Sequence, residues 1–124
     1  MEFKVHTDMQ RGIISVTVTG VCTRTGTAQM MTAARAVARE ARLPILYDLR
    51  GCSPGQLAKA DIFWLARTVP AARNSSGRIR VATLFPTEHD GTAQFWENSF
   101  RNAGIEARAF ENETEAVGWL TETS

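Results

Sequence analysis

No apolar run in this chain is long enough to cross a bilayer as a helix, and neither sign of charge dominates. Fourteen Lys and Arg against 13 Asp and Glu leave a net charge of +1. No global field is therefore available to steer nucleic acid or an anionic membrane, and neither is expected as a partner. Cysteine is scarce. Cys22 and Cys52 sit in no paired motif, and Met1 to His6 lacks the charged-then-apolar pattern of a secretory leader. Reduced thiols and a cytoplasmic location are the expectation. His6 and His89, with Cys22, Cys52, Glu88 and Asp90, make no zinc or iron ligand spacing, so no metal or other cofactor is expected. Gly51 and Gly55 lack the spacing of a Walker or dinucleotide fingerprint.

What is present reads as one ordinary globular domain over residues 1–124, 44% hydrophobic and 22% charged. Phe3 to Thr7 reads as a strand and Asp8 to Gly12 as a turn. Ile14, Val16 and Val18 then alternate with Ser15, Thr17 and Thr19, the period of a half-buried strand. So short a gap favours an antiparallel hairpin, because parallel neighbours need a longer crossover. From Thr25 to Arg42 the period becomes helical. Met30, Ala33, Ala34, Val37, Ala38 and Ala41 trace one face, with Arg35, Arg39 and Arg42 outside it.

Ile45-Leu46-Tyr47 reads as a central strand apolar on both faces. Ser53, Pro54 and Gln56 read as N-cap, first position and third position of a second helix, with Ile62, Leu65, Ala66 and Val69 buried. A strand spans Ile79 to Phe85. A third helix, capped from Thr87 to Asp90, carries Ala93, Trp96, Phe100 and Ala103 inward and stops at Gly104. Glu106 to Phe110 is a last strand, and Asn112 opens a last helix with Val117, Trp119 and Leu120. The predicted fold is α/β: a mixed, mainly parallel sheet of about five strands with an N-terminal antiparallel hairpin, flanked by about four helices.

That order, together with Gly12-Ile13-Ile14, Thr19-Gly20, Pro44-Ile45-Leu46-Tyr47-Asp48-Leu49-Arg50, Arg80-Val81-Ala82, Phe110-Glu111-Asn112, Ala116 and Trp119-Leu120, resembles the SpoIIAA-like group of the STAS superfamily (sulfate transporter and anti-sigma-factor antagonist). The resemblance covers nearly the whole chain and rests on pattern and spacing, with no catalytic motif. It implies a bacterial binding and regulatory module, in which a serine after the central strand is phosphorylated by a partner kinase. Ser53 stands nearest that position, in Gly51-Cys52-Ser53-Pro54-Gly55 rather than the acidic-serine-serine-glycine run typical of the antagonists. The related lipid-exchange Sec14 domains share the core but are longer.

Each candidate has a plainer reading. Ser53 is fully explained as a helix cap, which is compatible with a phospho-switch. Asp48 sits where α/β folds place active groups, and Thr83 on the next strand suggests a receiver domain. That fails for want of an acidic pair after the opening strands and a lysine after the last one, so a carboxylate paired with a nearby arginine or amide is favoured. Cys52 lies ahead of a helix start, where a thiolate is favoured, but an inert thiol is simpler. Arg73, Arg78 and Arg80 surround one loop that suits an anion or is merely solvated. Trp64, Trp96 and Trp119 read as packing anchors. Phe63 and Trp64 cannot both face one core stripe, which points to a partner surface.

The expected function is a non-enzymatic regulatory or protein-interaction domain, with a protein partner implied and a homodimer left open. Its working loops are Gly20 to Thr25, Arg50 to Gly55 and Pro86 to Asp90, and its candidate interaction or ligand residues are Asp48, Arg50, Cys52, Ser53, Thr87 and His89. The alternative is a small-ligand or anion-binding domain that uses the same loops. An enzyme would have to assemble Asp48, Cys52 and His89.

Overall fold

A computed structural model describes residues 1–53, 58–68, 73–74, 77–85 and 92–122, apart from the side chains at 53, 73, 74 and 78. β1 (Glu2–Asp8) and β2 (Ile13–Val21) form the expected antiparallel hairpin, with Val5 opposite Val16. The chain reverses at Gly12, whose N–H donates to the Asp8 carbonyl at 2.9 Å. Its φ of +69° is a left-handed conformation that glycine adopts without a Cβ clash.

α1 (Arg24–Ala41) is capped by the Thr23 hydroxyl, which accepts the Gly26 N–H at 3.0 Å. β3 (Ile45–Ser53) runs well past the apolar Ile45–Tyr47 stretch. α2 (Lys59–Thr68) follows, then the two-residue strands β4 (Arg73–Asn74) and β5 (Gly77–Arg78), which pair antiparallel where a loop was expected. After β6 (Val81–Leu84) comes α3 (Thr92–Asn102), which ends as predicted at Gly104. There the Gly104 and Ile105 N–H groups close back on the Arg101 and Phe100 carbonyls, a Schellman arrangement. β7 (Ala107–Phe110) and α4 (Glu113–Leu120) complete the chain, with the Asn112 side chain capping α4 through the Glu115 N–H.

The main sheet has the order β1-β2-β3-β6-β7, antiparallel at β1–β2 and parallel elsewhere. One face holds the larger core, where Met30 and Met31 of α1, Ile62 and Leu65 of α2, and Trp96 and Phe100 of α3 meet Val16, Tyr47 and Val81. On the opposite face α4 packs Ala116 and Leu120 onto Ile13, Leu46, Ala82 and Leu84. Each such large side chain contributes roughly 1.5–3 kcal/mol on leaving water. α4 packs against β3, β6 and β7, so on its side of the sheet the hairpin residues Glu2, Lys4, His6, Thr17 and Thr19 stay exposed.

Two expectations are corrected by this architecture. Arg35 faces inward: it is 4% exposed, with its guanidinium 6.0 Å from the Phe100 ring centroid and beside the Tyr47 hydroxyl. Helical period alone placed it outside, but its long apolar stem bridges α1 to the layer below. Ser53 is not the cap of α2. It is the last residue of β3, paired with Val21, and α2 begins only at Lys59. The Ala58 N–H at that start donates to Asp61 Oδ2 at 3.0 Å, so an aspartate in the first turn does the capping. The predicted Pro54 and Gln56 cap positions lie outside the described residues.

Candidate functional site

In a parallel sheet, functional groups collect where strands end and loops begin. Here β2 and β3 run side by side to that edge, with Gly20 paired to Cys52 and Val21 to Ser53. Between Thr17–Asp48 and Thr19–Gly51 the register gains one residue on β3. Such a bulge reverses which face the following side chains take. Before it, Asp48 points to the α4 side; beyond it, Cys52 joins the core beneath α1, α2 and α3. Asp48 and Cys52 therefore lie on opposite faces of the sheet. The catalytic grouping of Asp48, Cys52 and His89 is not assembled by these two, and His89, like Thr87, lies outside the described residues.

Asp48 is occupied by the arginine two residues on. Arg50 donates its Nε to Oδ1 at 3.0 Å, an Nη2 hydrogen to Oδ2 at 2.9 Å, and its backbone N–H to Oδ1 at 3.0 Å. These bonds, the side-chain ones foremost, hold the Asp48 carboxyl below its ordinary value of 3.8, against a smaller opposing effect of burial. The pairing does not stop there. Arg50 Nη2 also donates to Glu113 Oε1 at 2.8 Å, and Arg11 Nη1 donates to Glu113 Oε2 at 2.9 Å. Arg11 Nε in turn reaches Asp8 Oδ2 at 2.7 Å. Asp8, Arg11, Glu113, Arg50 and Asp48 thus form an ionic chain of alternating sign that joins the hairpin turn, the first turn of α4 and the centre of β3. Glu113 is well placed in it, because a carboxylate in the first turn also faces the positive end of its own helix. Asp48 and Arg50 are brought together as expected, but in the plainer role: each satisfies the other.

Cys52 does not stand as a free thiol. It is bonded to Cys22, with the two Cα atoms 6.4 Å apart, within the usual span for a disulfide. The expectation of reduced thiols is overturned by the pairing of β2 with β3. Thirty residues separate the two in sequence, yet they emerge at adjacent strand ends. The bond staples the root of α1 to the end of β3, one residue from Ser53.

Arg80 is engaged too. It donates to Glu106 Oε1 at 3.1 Å and to the Trp119 carbonyl at 2.7 Å, lies 3.6 Å from Glu122, and stacks 5.1 Å from the centre of the Trp119 ring. It ties β7 and α4 together, which accounts for it without a bound anion. Phe63 and Trp64, by contrast, are on the surface, 50% and 38% exposed. Periodicity missed three residues of this arrangement: Arg11, Glu113 and the buried Arg35. The acidic first turn of α4 was visible in Asn112-Glu113, but its partners lie 63 and 102 residues away in sequence.

No family model matches the sequence, and no curated protein is significantly similar to it. Among solved structures it is similar to the crystal structure of an uncharacterized protein of the DUF3478 family with a SpoIIAA-like fold, from Shewanella loihica PV-4. The identity is 16%, the likeness covers 96% of this chain and 92% of that one, and the TM-score is 0.54. At that identity the likeness concerns the fold, and this chain has the SpoIIAA-like fold that its hairpin and strand order implied. Among the described residues no helix is long and apolar enough to cross a membrane.

Proposed function

We propose that this chain is a non-enzymatic, regulatory protein-interaction domain. The observation that carries the reading is the exposed pair on α2, Phe63 and Trp64. Aromatic side chains bury more area than most others, and neighbouring ones left in water mark an interface. The SpoIIAA-like fold supports the reading, since the resemblance implies binding rather than turnover. So does the strand-end chemistry, where Asp48 is engaged by Arg50 and Cys52 by Cys22. Affinity capture from the native cell tests it. A partner held by the wild-type chain and lost by Phe63→Ala/Trp64→Ala is expected; a partner held equally by both removes this surface from the proposal.

The switch, in this reading, is Ser53. It ends β3 beside the Cys22–Cys52 bond, where a phosphate would add a charge of about −1.5 to −2 at the rim of the loops. Incubation with the cognate kinase followed by mass spectrometry should place the modification at Ser53. Modification elsewhere, or none, excludes the switch and leaves the interaction surface untouched.

A further inference from the structure

Phe63 and Trp64 are set in a particular electrostatic frame. The guanidinium of Arg67 stacks 3.9 Å from the Phe63 ring centre and that of Arg24 4.7 Å from the Trp64 ring centre. The Lys59 ammonium lies 5.6 Å from the ring of Phe95 on α3. Beside Trp64 runs a shallow groove of about 470 Å³, floored along α1 by Thr25, Ala28, Gln29, Thr32 and Ala33. Charge is distributed unevenly around it. With Arg35 buried, α1 and α2 together expose four cationic side chains (Arg24, Arg39, Lys59, Arg67) against two carboxylates (Glu40, Asp61). A near-neutral total therefore conceals a local excess of cations on these two helices.

A guanidinium stacked on a ring presents its N–H edge outward, in the fork that matches a carboxylate. Asp61, the single carboxylate of α2, is already shared between the Ala58 N–H and a 3.9 Å approach to Arg24. Aliphatic side chains suit the groove and the ring faces, while carboxylates suit Arg24, Lys59 and Arg67. Resting on the interaction reading above, we infer that the α1–α2 face docks an acidic amphipathic segment of a protein partner, with its apolar stripe along the groove beside Trp64 and its carboxylates on Arg24, Lys59 and Arg67. A basic segment would be repelled by the same three cations. A purely apolar one would strip water from them without replacing it.

The test uses the full chain and three synthetic amphipathic peptides with one leucine stripe, their other positions filled with Glu, Gln or Lys. A single-stranded thymidine oligonucleotide serves as a fourth probe. Binding is followed by fluorescence anisotropy and by the amide shifts of α1 and α2. The Glu peptide should bind at least about tenfold tighter than the Lys peptide and weaken with salt. It should shift amides in both helices, be abolished by Trp64→Ala, and lose about tenfold with Arg24→Glu/Arg67→Glu. Thermal melting shows whether each variant is folded; Arg67→Gln, which keeps the stem, serves if the double variant is not. Equal binding of all three peptides, abolished by Trp64→Ala, overturns the acidic assignment but leaves the interaction reading in place. Oligonucleotide binding as tight as the Glu peptide at the same amides overturns it in favour of nucleic acid. No binding by any peptide overturns it, and capture that is also insensitive to Phe63→Ala/Trp64→Ala removes the interaction reading as well.

Discussion

Tyr47 on β3 is fully buried, and its hydroxyl lies beside the guanidinium of Arg35, which α1 carries into the same interior. Polar groups are costly there unless they meet one another. The charge of Arg35 acts on the phenol across that interior.

Tyr47 is the chain's single tyrosine, so its titration can be followed without ambiguity. Burial pushes the phenol above its ordinary value of 10.0, with the charge of Arg35 acting the other way. An acid whose folded value is raised contributes stability that is complete below the ordinary value and is lost as pH climbs through the folded one. Phenolate absorbance should therefore appear only above the ordinary range, together with loss of near-ultraviolet circular dichroism. A reversible titration near 10 with the native spectrum intact would contradict the burial.

Acid should act through the ionic chain. Asp48 is held below 3.8 chiefly by the side-chain bonds of Arg50, and Asp8 below the same value chiefly by those of Arg11. Such carboxylates stabilise the fold fully above their ordinary value, and this is lost as pH falls below it through the depressed folded values. These groups are partly in water, so Asp48→Asn should cost only about 0.5–1 kcal/mol at neutral pH. Urea denaturation at a series of pH values checks it: the variant should lose less stability than the wild type as pH falls below 3.8. Parallel pH curves would show that the pairing contributes nothing.

Reduction should loosen the molecule measurably. Closing a loop of the 30-residue separation between Cys22 and Cys52 is worth about 3–4 kcal/mol in the chain-entropy account. Urea unfolding with and without dithiothreitol reads this difference directly, and Cys22→Ser/Cys52→Ser should reproduce the reduced midpoint under oxidising conditions. Identical midpoints for all three preparations would mean the bond does not form in solution.

The two kinds of tryptophan should separate cleanly. Trp96 is buried against Phe85 and Phe100, with ring centres 5.6 and 4.8 Å away, so Trp96→Ala should cost about 3–5 kcal/mol. Trp64→Ala and Phe63→Ala should each stay within about 0.5–1 kcal/mol of wild type, because both side chains lie at the surface and leave no buried cavity when removed. Chemical denaturation of the three variants settles the contrast. A large loss at Trp64 would make it a packing residue and weaken the interface reading.

Features that sequence made legible are those written by neighbours along the chain. The alternation of Ile14, Val16 and Val18, the period of Met30, Ala34 and Ala38, and the stop at Gly104 are local signals, and each element they mark is present. The misreadings arose where a distant segment decides. Ser53 beside Pro54 has the local chemistry of a helix cap, but a strand already paired with β2 extends through it to meet Val21. Cys22 and Cys52 belong to no motif, because their proximity comes from parallel pairing rather than spacing. Arg35 carries a charge that periodicity assigns to solvent, while its depth depends on Tyr47 and Phe100 from other elements. Within the candidate site, Asp48 and Arg50 were visible and Phe63–Trp64 stood out by adjacency. Glu113, which links the ionic chain, had no local mark of its role.

Glu113 also sets a timetable. Its bond to Arg11 spans 102 residues, and α4, which it opens, supplies the helical cover over Leu46, Ala82 and Leu84. At synthesis rates of about 5–20 residues per second, the hairpin turn waits roughly 5–20 seconds for this partner to be made. Late in that interval, once α3 (ending at Asn102) has been made, a nascent chain has its three-helix side available for assembly while the opposite apolar patch lacks its lid. Chaperone contact in the cell should therefore concentrate on Leu46, Ala82 and Leu84, and should end when α4 is released.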